Sequence, residues 1–116
     1  HAKRYERSGA ILFFDLDQFK DVNDTSGHKV GDDLLRRVSE RLRIEARDSD
    51  LIFRLGGDEF GIVLPETDSE QALEVAKKVL ASLEPSFELD GQVLSIGASV
   101  GIAMFPEHGE TAVDLI

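Results

Sequence analysis

Two short apolar runs joined by four residues constrain the fold of this chain more than any other feature. The runs cover residues 51–55 and 60–64, and Gly56-Gly57-Asp58-Glu59 lies between them. Strand-sized apolar segments on either side of a glycine-containing turn are typical of a β-hairpin. The glycines permit positive φ angles and a close approach of the backbone to another group. The sequence therefore predicts a sheet with two adjacent carboxylates at one end of its strands.

The rest of the chain predicts helices that pack on this sheet. Residues 10–14 form an apolar run of strand length, residues 19–25 suit a short helix, and helical spacing of apolar residues covers 32–46. Asp32 and Asp33 are expected at the start of that second helix, where carboxylates favour the positive end of the helix dipole.

The second half of the chain repeats this alternation. Thr67 and Glu70 have the spacing of a capping box. They precede an amphipathic helix with a stripe of apolar residues: Ala72, Val75, Ala76, Val79, Leu80 and Leu83. Residues 87–89 and 93–105 suit a second hairpin whose second arm is long. The order strand, helix, hairpin, helix, hairpin predicts an α+β fold with a central antiparallel sheet flanked by helices.

Composition limits the classes of function. With 116 residues the chain is expected to be one domain spanning residues 1–116, and its zero cysteines exclude disulfides and thiolate metal sites. No apolar run approaches the roughly 20 residues that cross a bilayer, so we expect no direct membrane contact and a cytoplasmic domain. The net charge of −10 argues against a nucleic-acid partner. A small anionic substrate remains compatible if a divalent cation lies between it and the carboxylates.

A second acidic cluster follows the first apolar run. Asp15 and Asp17 stand where that strand is expected to end, so they are well placed to meet the acids of the hairpin. Mg²⁺ prefers such oxygen ligands and usually takes one or two carboxylates plus substrate phosphates. Two such ions can hold the attacking and leaving oxygens of a phosphoryl displacement. The alternative for the turn alone is a solvent-exposed acidic hairpin tip.

Five motif pieces in order resemble the GGDEF family of diguanylate cyclases. They are the segments Phe14-Asp15-Leu16-Asp17-Gln18-Phe19-Lys20, Asn23-Asp24, Gly27-His28, Gly31-Asp32 and Arg54-Leu55-Gly56-Gly57-Asp58-Glu59-Phe60. The resemblance extends to Ser99-Val100-Gly101-Ile102-Ala103 and so covers nearly the whole chain. It implies a palm-like α+β domain that condenses two GTP molecules into cyclic di-GMP and two pyrophosphates.

The resemblance also implies roles for individual residues. The metal, Mg²⁺ or Mn²⁺, would be bound by Asp15, the Leu16 carbonyl, Asp58 and Glu59, and the last two would be catalytic. Asn23 and Asp32 match the positions that read guanine, and the remaining GTP contacts would come from Gln18, Phe19, Lys20, Gly56 and Gly57. Asp17, His28 and Arg54 would form structural hydrogen bonds around the site or act directly. Phe13, Phe14, Phe19 and Phe60 are expected in the core.

Arg47 and Asp50 match the family's Arg-x-x-Asp inhibitory motif at the expected distance before Gly56. The resemblance implies that they bind cyclic di-GMP and restrain the enzyme. The alternative is an arginine at a helix end that pairs with nearby acids on a solvated loop.

The resemblance implies one bound GTP per domain, so a homodimer would be required for catalysis. The sequence begins without the family's upstream segment and stops before its last helix, so we expect a domain truncated at both ends with weakened GTP binding. The full protein can still be membrane-anchored. Three alternatives to a cyclase are open: a non-catalytic receptor for cyclic di-GMP or GTP, another metal-dependent nucleotidyl enzyme on the same scaffold, and a purely structural module.

Overall fold

A computed structural model describes residues 9–106 of the chain. Three helices and six strands follow the predicted order, except that the last predicted strand is divided in two: β1 (Gly9–Leu16), α1 (Phe19–Ser26), α2 (His28–Glu45), β2 (Leu51–Gly56), β3 (Glu59–Pro65), α3 (Ser69–Leu83), β4 (Phe87–Leu89), β5 (Gln92–Leu94) and β6 (Ala98–Phe105).

The central sheet has four strands in the spatial order β2-β3-β1-β6, and every neighbouring pair is antiparallel. The first strand is therefore central, and it pairs with β3 on one side and with β6 on the other. A separate two-stranded sheet is formed by β4 and β5. The predicted α+β fold with an antiparallel sheet is confirmed.

The core lies between one face of this sheet and the helices. Side chains alternate along a strand, and Ala10, Leu12, Phe14 and Leu16 of β1 are all buried on the same face. They belong to one cluster with Leu34, Val38 and Leu42 of α2 and with Ala72, Ala76, Val79 and Leu83 of α3. The stripe predicted for α3 thus faces the core, although Val75 and Leu80 are only half-buried.

Phe13 departs from the prediction that it belongs to the core. It is 41 % exposed, whereas Phe14, Phe19 and Phe60 are buried as expected. The reason is the period of two along a strand: Phe13 points away from the face that carries Phe14. Among the described residues, that opposite face also exposes Leu51 of β2.

Two helix starts also differ from the sequence prediction. The second helix begins at His28, four residues earlier than expected, because Gly27, with φ of 92°, ends α1 and starts α2 with no further linker. Asp32 and Asp33 therefore lie in the second turn and not at the start. In α3 the capping box is formed by Asp68 and Gln71, and not by Thr67 and Glu70.

The predicted long arm of the last hairpin is interrupted. Residues 92–94 pair with β4, residues 95–97 are irregular, and β6 leaves this hairpin to pair with β1 along its whole length. Among the helices of residues 9–106, none combines the length and the apolar composition that would let it cross a membrane.

Candidate functional site

The antiparallel pairing of β1 with β3 brings the two acidic stretches together. Asp15 lies opposite Glu59 in the register, and the Leu16 amide donates to the Asp58 carbonyl at 3.1 Å. Residues 44 positions apart in the chain therefore share one end of the sheet. We refer to Asp15, Asp17, Asp58 and Glu59 as the acidic edge. The two acidic stretches thus lie close enough together to share a cation. The roles of the individual residues stay predictions.

The hairpin turn is tighter than its four-residue motif suggests. Gly56 pairs with Glu59, and a register shift between Arg54 and Gly56 marks a bulge. Gly57 has φ of 45°, in the left-handed region that favours glycine. The Arg54 Nε donates to the Gly57 carbonyl at 3.2 Å, so Arg54 has a structural contact with the turn. This turn gives Asp58 and Glu59 a defined backbone position.

The pKa of Asp15, within the acidic edge, is raised above its ordinary value. Desolvation is the largest cause, followed by the negative charge of Asp58, a hydrogen bond to Asp58 that favours the protonated form, and the charges of Glu59 and Asp17. Like charges close together favour either a shared proton or a bound cation. The edge is therefore electrostatically suited to a divalent cation.

Asp17 is held by the neighbouring strand. Its amide donates to the Gly97 carbonyl at 2.9 Å, and its Oδ1 accepts from the Ser99 hydroxyl at 2.9 Å. The Ser99 contact joins side chains 82 positions apart. Asp17 therefore has partners within the fold, in agreement with the structural reading of this residue. Sequence reasoning missed Ser99 as a partner, because only the pairing of β6 with β1 brings it there.

The donor set of the acidic edge fits a hard cation that also binds substrate. Within residues 9–106, no group of three or more His, Asp or Glu side chains is arranged to hold a metal by itself. Mg²⁺ commonly binds through one or two carboxylates and completes its shell with phosphate oxygens and water. Asp15 and Glu59 also line a cavity of about 450 Å³ with Phe13, Leu55 and Ser99. This arrangement suits a metal that arrives with a nucleotide.

The predicted phosphate-binding segment connects β1 directly to α1. Gln18 has φ of 62° and precedes the helix, Phe19 is buried in the core, and Lys20 is exposed. A helix N-terminus presents backbone N–H groups and a partial positive charge. The segment thus places helix N–H groups immediately after the acidic edge.

The two predicted guanine-reading residues lie on the adjoining helices. Asn23 is half-buried in α1, and its Oδ1 lies against Gly31 of α2. Asp32 is exposed and lines a cavity of about 370 Å³ together with Leu35, Arg36, Ser39 and Arg54. Arg54 belongs to β2, so this cavity lies between α2 and the strand that leads into the hairpin turn. His28, the first residue of α2, is exposed. The motif reading missed Arg36 and Ser39, although their spacing after Asp32 puts them on nearby turns of the same helix.

Arg47 and Asp50 form a closed ion pair. Arg47 donates from its backbone N, its Nε and its Nη2 to the Asp50 carboxylate, at 2.8 Å for the backbone N and 2.9 Å for Nη2. The Asp50 side chain is 1 % exposed, whereas that of Arg47 is 53 % exposed. Arg47 also reaches the Thr67 hydroxyl and the Pro65 carbonyl. The structure therefore shows the pairing that the structural alternative expected, with the arginine half accessible.

The comparisons with known proteins identify the family. The model of the family described as "Diguanylate cyclase, GGDEF domain" matches residues 1–116, so the chain belongs to the GGDEF domain family. Diguanylate cyclase TpbB of Pseudomonas aeruginosa is 40 % identical over 117 residues, which cover 99 % of this chain. The crystal structure of the GGDEF domain of that protein, also called YfiN, superposes on this chain with a TM-score of 0.88. The superposition covers 98 % of this chain and 72 % of the chain in the crystal structure.

The relatives are longer than this chain, and they are not all named for the same activity. This chain spans 27 % of TpbB, about a quarter of its length. The cyclic di-GMP phosphodiesterase NbdA of P. aeruginosa is also 40 % identical, over 107 residues that cover 92 % of this chain and 14 % of NbdA. The chain is thus similar to proteins that are named for different activities.

Proposed function

We propose that this chain is the catalytic domain of a diguanylate cyclase, which joins two GTP molecules into cyclic di-GMP. The observation that carries the proposal is the register that sets Asp15 opposite Glu59, with Asp58 beside both. Three mutually repelling acidic groups at one end of the sheet are suited to a Mg²⁺ or Mn²⁺ site. The family membership and the similarity to TpbB support the choice of reaction.

In the proposed reaction the 3′-oxygen of one GTP attacks the α-phosphorus of the other. The new O–P bond forms as the bond from the α-phosphorus to the bridging oxygen breaks, and pyrophosphate leaves with that oxygen. The proton of the 3′-hydroxyl passes to a base at the acidic edge or to water. A second, equivalent step closes the ring and releases the second pyrophosphate.

The residues of this chain contribute mainly position and charge. Asp15, Asp58, Glu59 and the Leu16 carbonyl would hold the metal, which supplies positive charge to the phosphate oxygens when bound. The backbone at Gln18, Phe19 and Lys20 would bind phosphates at the N-terminus of α1, and Gly56 and Gly57 leave room for the nucleotide. Asn23 and Asp32 would read the guanine, since an amide and a carboxylate together match its donors and acceptors.

Catalysis by this arrangement requires two copies of the domain. Each domain holds one GTP in the proposed site, so the two reacting nucleotides must be presented by facing copies, at least transiently. Alignment of bound reactants then supplies a large share of the rate enhancement.

We further propose that Arg47 and Asp50 bind cyclic di-GMP and restrain the enzyme. Arg47 is half exposed, and a cavity of about 350 Å³ beside it is lined by Arg43, Arg47, Asp48 and Asp50. Because Asp50 already holds Arg47, the product would have to replace this internal pair at least in part.

A second candidate function is a receptor that binds cyclic di-GMP or GTP without turnover. One finding favours it: NbdA, which is 40 % identical to this chain, is named for a phosphodiesterase activity and not for a cyclase activity. The retained acids Asp15, Asp58 and Glu59 favour the cyclase, since binding of product at Arg47 does not need them.

The test is incubation of the full-length protein with GTP and Mg²⁺, with products separated by chromatography. We expect cyclic di-GMP and pyrophosphate in a ratio of about one to two, from the stoichiometry of the two steps. Binding of GTP or of cyclic di-GMP without product would replace the cyclase by the receptor. A different nucleotide product would assign another nucleotidyl transfer to the same acids.

A further inference from the structure

We propose that Gly31 is a positioning residue for base recognition, because the missing side chain there makes room for the amide of Asn23 against the residue that precedes Asp32. The guanine-reading role of Asn23 rests on the proposed function. The placement of Asn23 against Gly31 rests on the geometry alone.

The backbone does not require glycine at residue 31. Gly31 lies inside α2, its amide donates to the Gly27 carbonyl at 3.1 Å, and its conformation is the ordinary helical one. A glycine in a helix interior is about 1 kcal/mol less favourable than alanine. Alanine would therefore be the better residue here if helix stability were the only requirement.

The space around residue 31 supplies the reason for glycine. A Cβ atom added there would overlap the Oδ1 of Asn23 and would lie 3.0 Å from its Cγ. The third neighbour, Cζ of Phe19, is 3.4 Å away, which is an ordinary contact. The Asn23 amide group thus fills the space that a side chain at residue 31 would take.

The methyl group of an alanine would move the Asn23 side chain and little else. The backbone of Asn23 is fixed, because its carbonyl accepts the Gly27 amide at 3.0 Å. Phe19 is buried in the core at 7 % exposure, whereas Asn23 is half-buried and its amide can rotate about two side-chain bonds. Displacement of the amide is therefore the least costly response.

This displacement would separate base recognition from stability. Gly31 immediately precedes Asp32, whose cavity is also lined by Leu35 and Ser39. Moving the amide removes one of the two side chains proposed to match the guanine edge and leaves the carboxylate in place. If Gly31 served only close packing of the helices, alanine would instead lower stability and would leave the choice of base unchanged.

The experiment compares the wild type with Gly31→Ala, Asn23→Ala and the double variant in the full-length protein. The probes are the α,β-methylene analogues of GTP and ATP with Mg²⁺, because their α-phosphorus cannot release pyrophosphate. The measured quantity is the ratio of the two dissociation constants. Thermal unfolding and the side-chain amide resonance of Asn23 in NMR spectra are recorded for each variant without nucleotide.

We expect Gly31→Ala to reduce the preference for the guanine analogue about tenfold, the scale of one lost hydrogen bond in a binding site. Asn23→Ala should do the same, and the double variant should lose no more than either single one. The unfolding midpoint of Gly31→Ala should equal or exceed that of the wild type, and the Asn23 resonance should shift. Ile44→Ala is the matched control, since it raises helix propensity in α2 at a position that is 79 % exposed; its preference should stay unchanged.

Two results would overturn the positioning role: an unshifted Asn23 resonance in Gly31→Ala, or effects of the two substitutions that add in the double variant. If the wild type binds neither analogue, the proposed function fails, and the resonance still decides whether Gly31 positions Asn23. If the resonance shifts while the preference is kept, Gly31 positions Asn23 but the amide does not read the base, which refutes the inference.

Discussion

The acidic edge and the Arg47–Asp50 pair both contain carboxylates, but the electrostatic surroundings of those carboxylates are opposite. Within residues 9–106, no Lys or Arg forms an ion pair with Asp15, Asp58 or Glu59, and the pKa of Asp15 is raised by desolvation and by its acidic neighbours. Asp50, by contrast, is buried and receives three donors from Arg47.

This difference indicates what each region requires from a ligand. The acidic edge gains from any added positive charge, so a cation can bind without displacing an internal partner. A ligand of Arg47 has to compete with Asp50, Thr67 and Pro65 for the same donors. Substitutions that remove a charge should therefore reduce electrostatic repulsion at the acidic edge. At the Arg47–Asp50 pair they should instead lower the stability of the fold.

The largest expected effect comes from Glu59→Gln. Loss of a carboxylate from the proposed metal site should lower turnover of GTP at least about a hundredfold. The reason is that the metal ion, whose positive charge offsets that of the phosphates, would no longer be held. Cyclic di-GMP formation measured by chromatography tests this. Glu88→Gln, an exposed strand position outside the site, is the control. Unchanged turnover in Glu59→Gln would remove Glu59 from the metal site.

The next effect is expected for Arg47→Ala, which leaves the buried Asp50 carboxylate without its partner. We expect a loss of about 1–3 kcal/mol in the free energy of unfolding, the usual cost of an unsatisfied buried polar group. Arg36→Ala breaks a pair of the same spacing with Asp33, at 2.8 Å, but the Asp33 side chain is 31 % exposed and that of Asp50 only 1 %, so the loss should be less than about 1 kcal/mol. Equal costs in denaturant titrations would contradict the contrast.

The same variant tests the proposed inhibitory site. Arg47→Ala should bind cyclic di-GMP at least about tenfold more weakly, because paired guanidinium donors are lost, while GTP turnover is retained. Calorimetric titration with cyclic di-GMP measures this. Undiminished affinity for cyclic di-GMP would leave Arg47 with the structural role alone.

A smaller effect is expected from the pH dependence of Asp15→Asn. A carboxyl whose folded-state pKa is raised binds more protons in the folded protein than in the unfolded chain, so its ionisation lowers stability as pH rises above the ordinary value of 3.8. Asp15→Asn should therefore raise the unfolding midpoint slightly at pH 7 and leave it unchanged below pH 3.8. Saturating Mg²⁺ should reduce the difference at pH 7. A lowered midpoint at pH 7 would show that the acidic edge is not repulsive.

The smallest effect is expected for Ser99→Ala, which removes one hydrogen bond to Asp17 in an exposed setting. Turnover should fall only a few-fold, because the Gly97 carbonyl still holds the Asp17 amide. The rate of cyclic di-GMP formation at saturating GTP measures it. A loss as large as that of Glu59→Gln would place Asp17 among the catalytic groups.

Local pattern predicted the elements well where each element carries its own signal. The hairpin of β2 and β3 and the apolar stripe of α3 follow from spacing and glycine position, and the structure confirms both. The start of α2, the capping box and the interrupted last hairpin were predicted wrongly. Each depends on which neighbouring residue competes best for a turn or a strand, and spacing alone does not decide that competition.

The amino-acid sequence by itself determined the family, the α+β order of elements and the acids that belong to the candidate site, because ordered motifs and strand-sized runs are local properties. The tertiary structure alone decided which of those groups have partners. Only the pairing of β1 with β3 and β6 sets Asp15 against Glu59 and Ser99 against Asp17, and only burial closes Asp50 onto Arg47. The contacts between strands join distant parts of the chain, and the local Arg47–Asp50 pair is held by contacts of Arg47 with Pro65 and Thr67. The free energy that selects these arrangements therefore exists only in the folded protein.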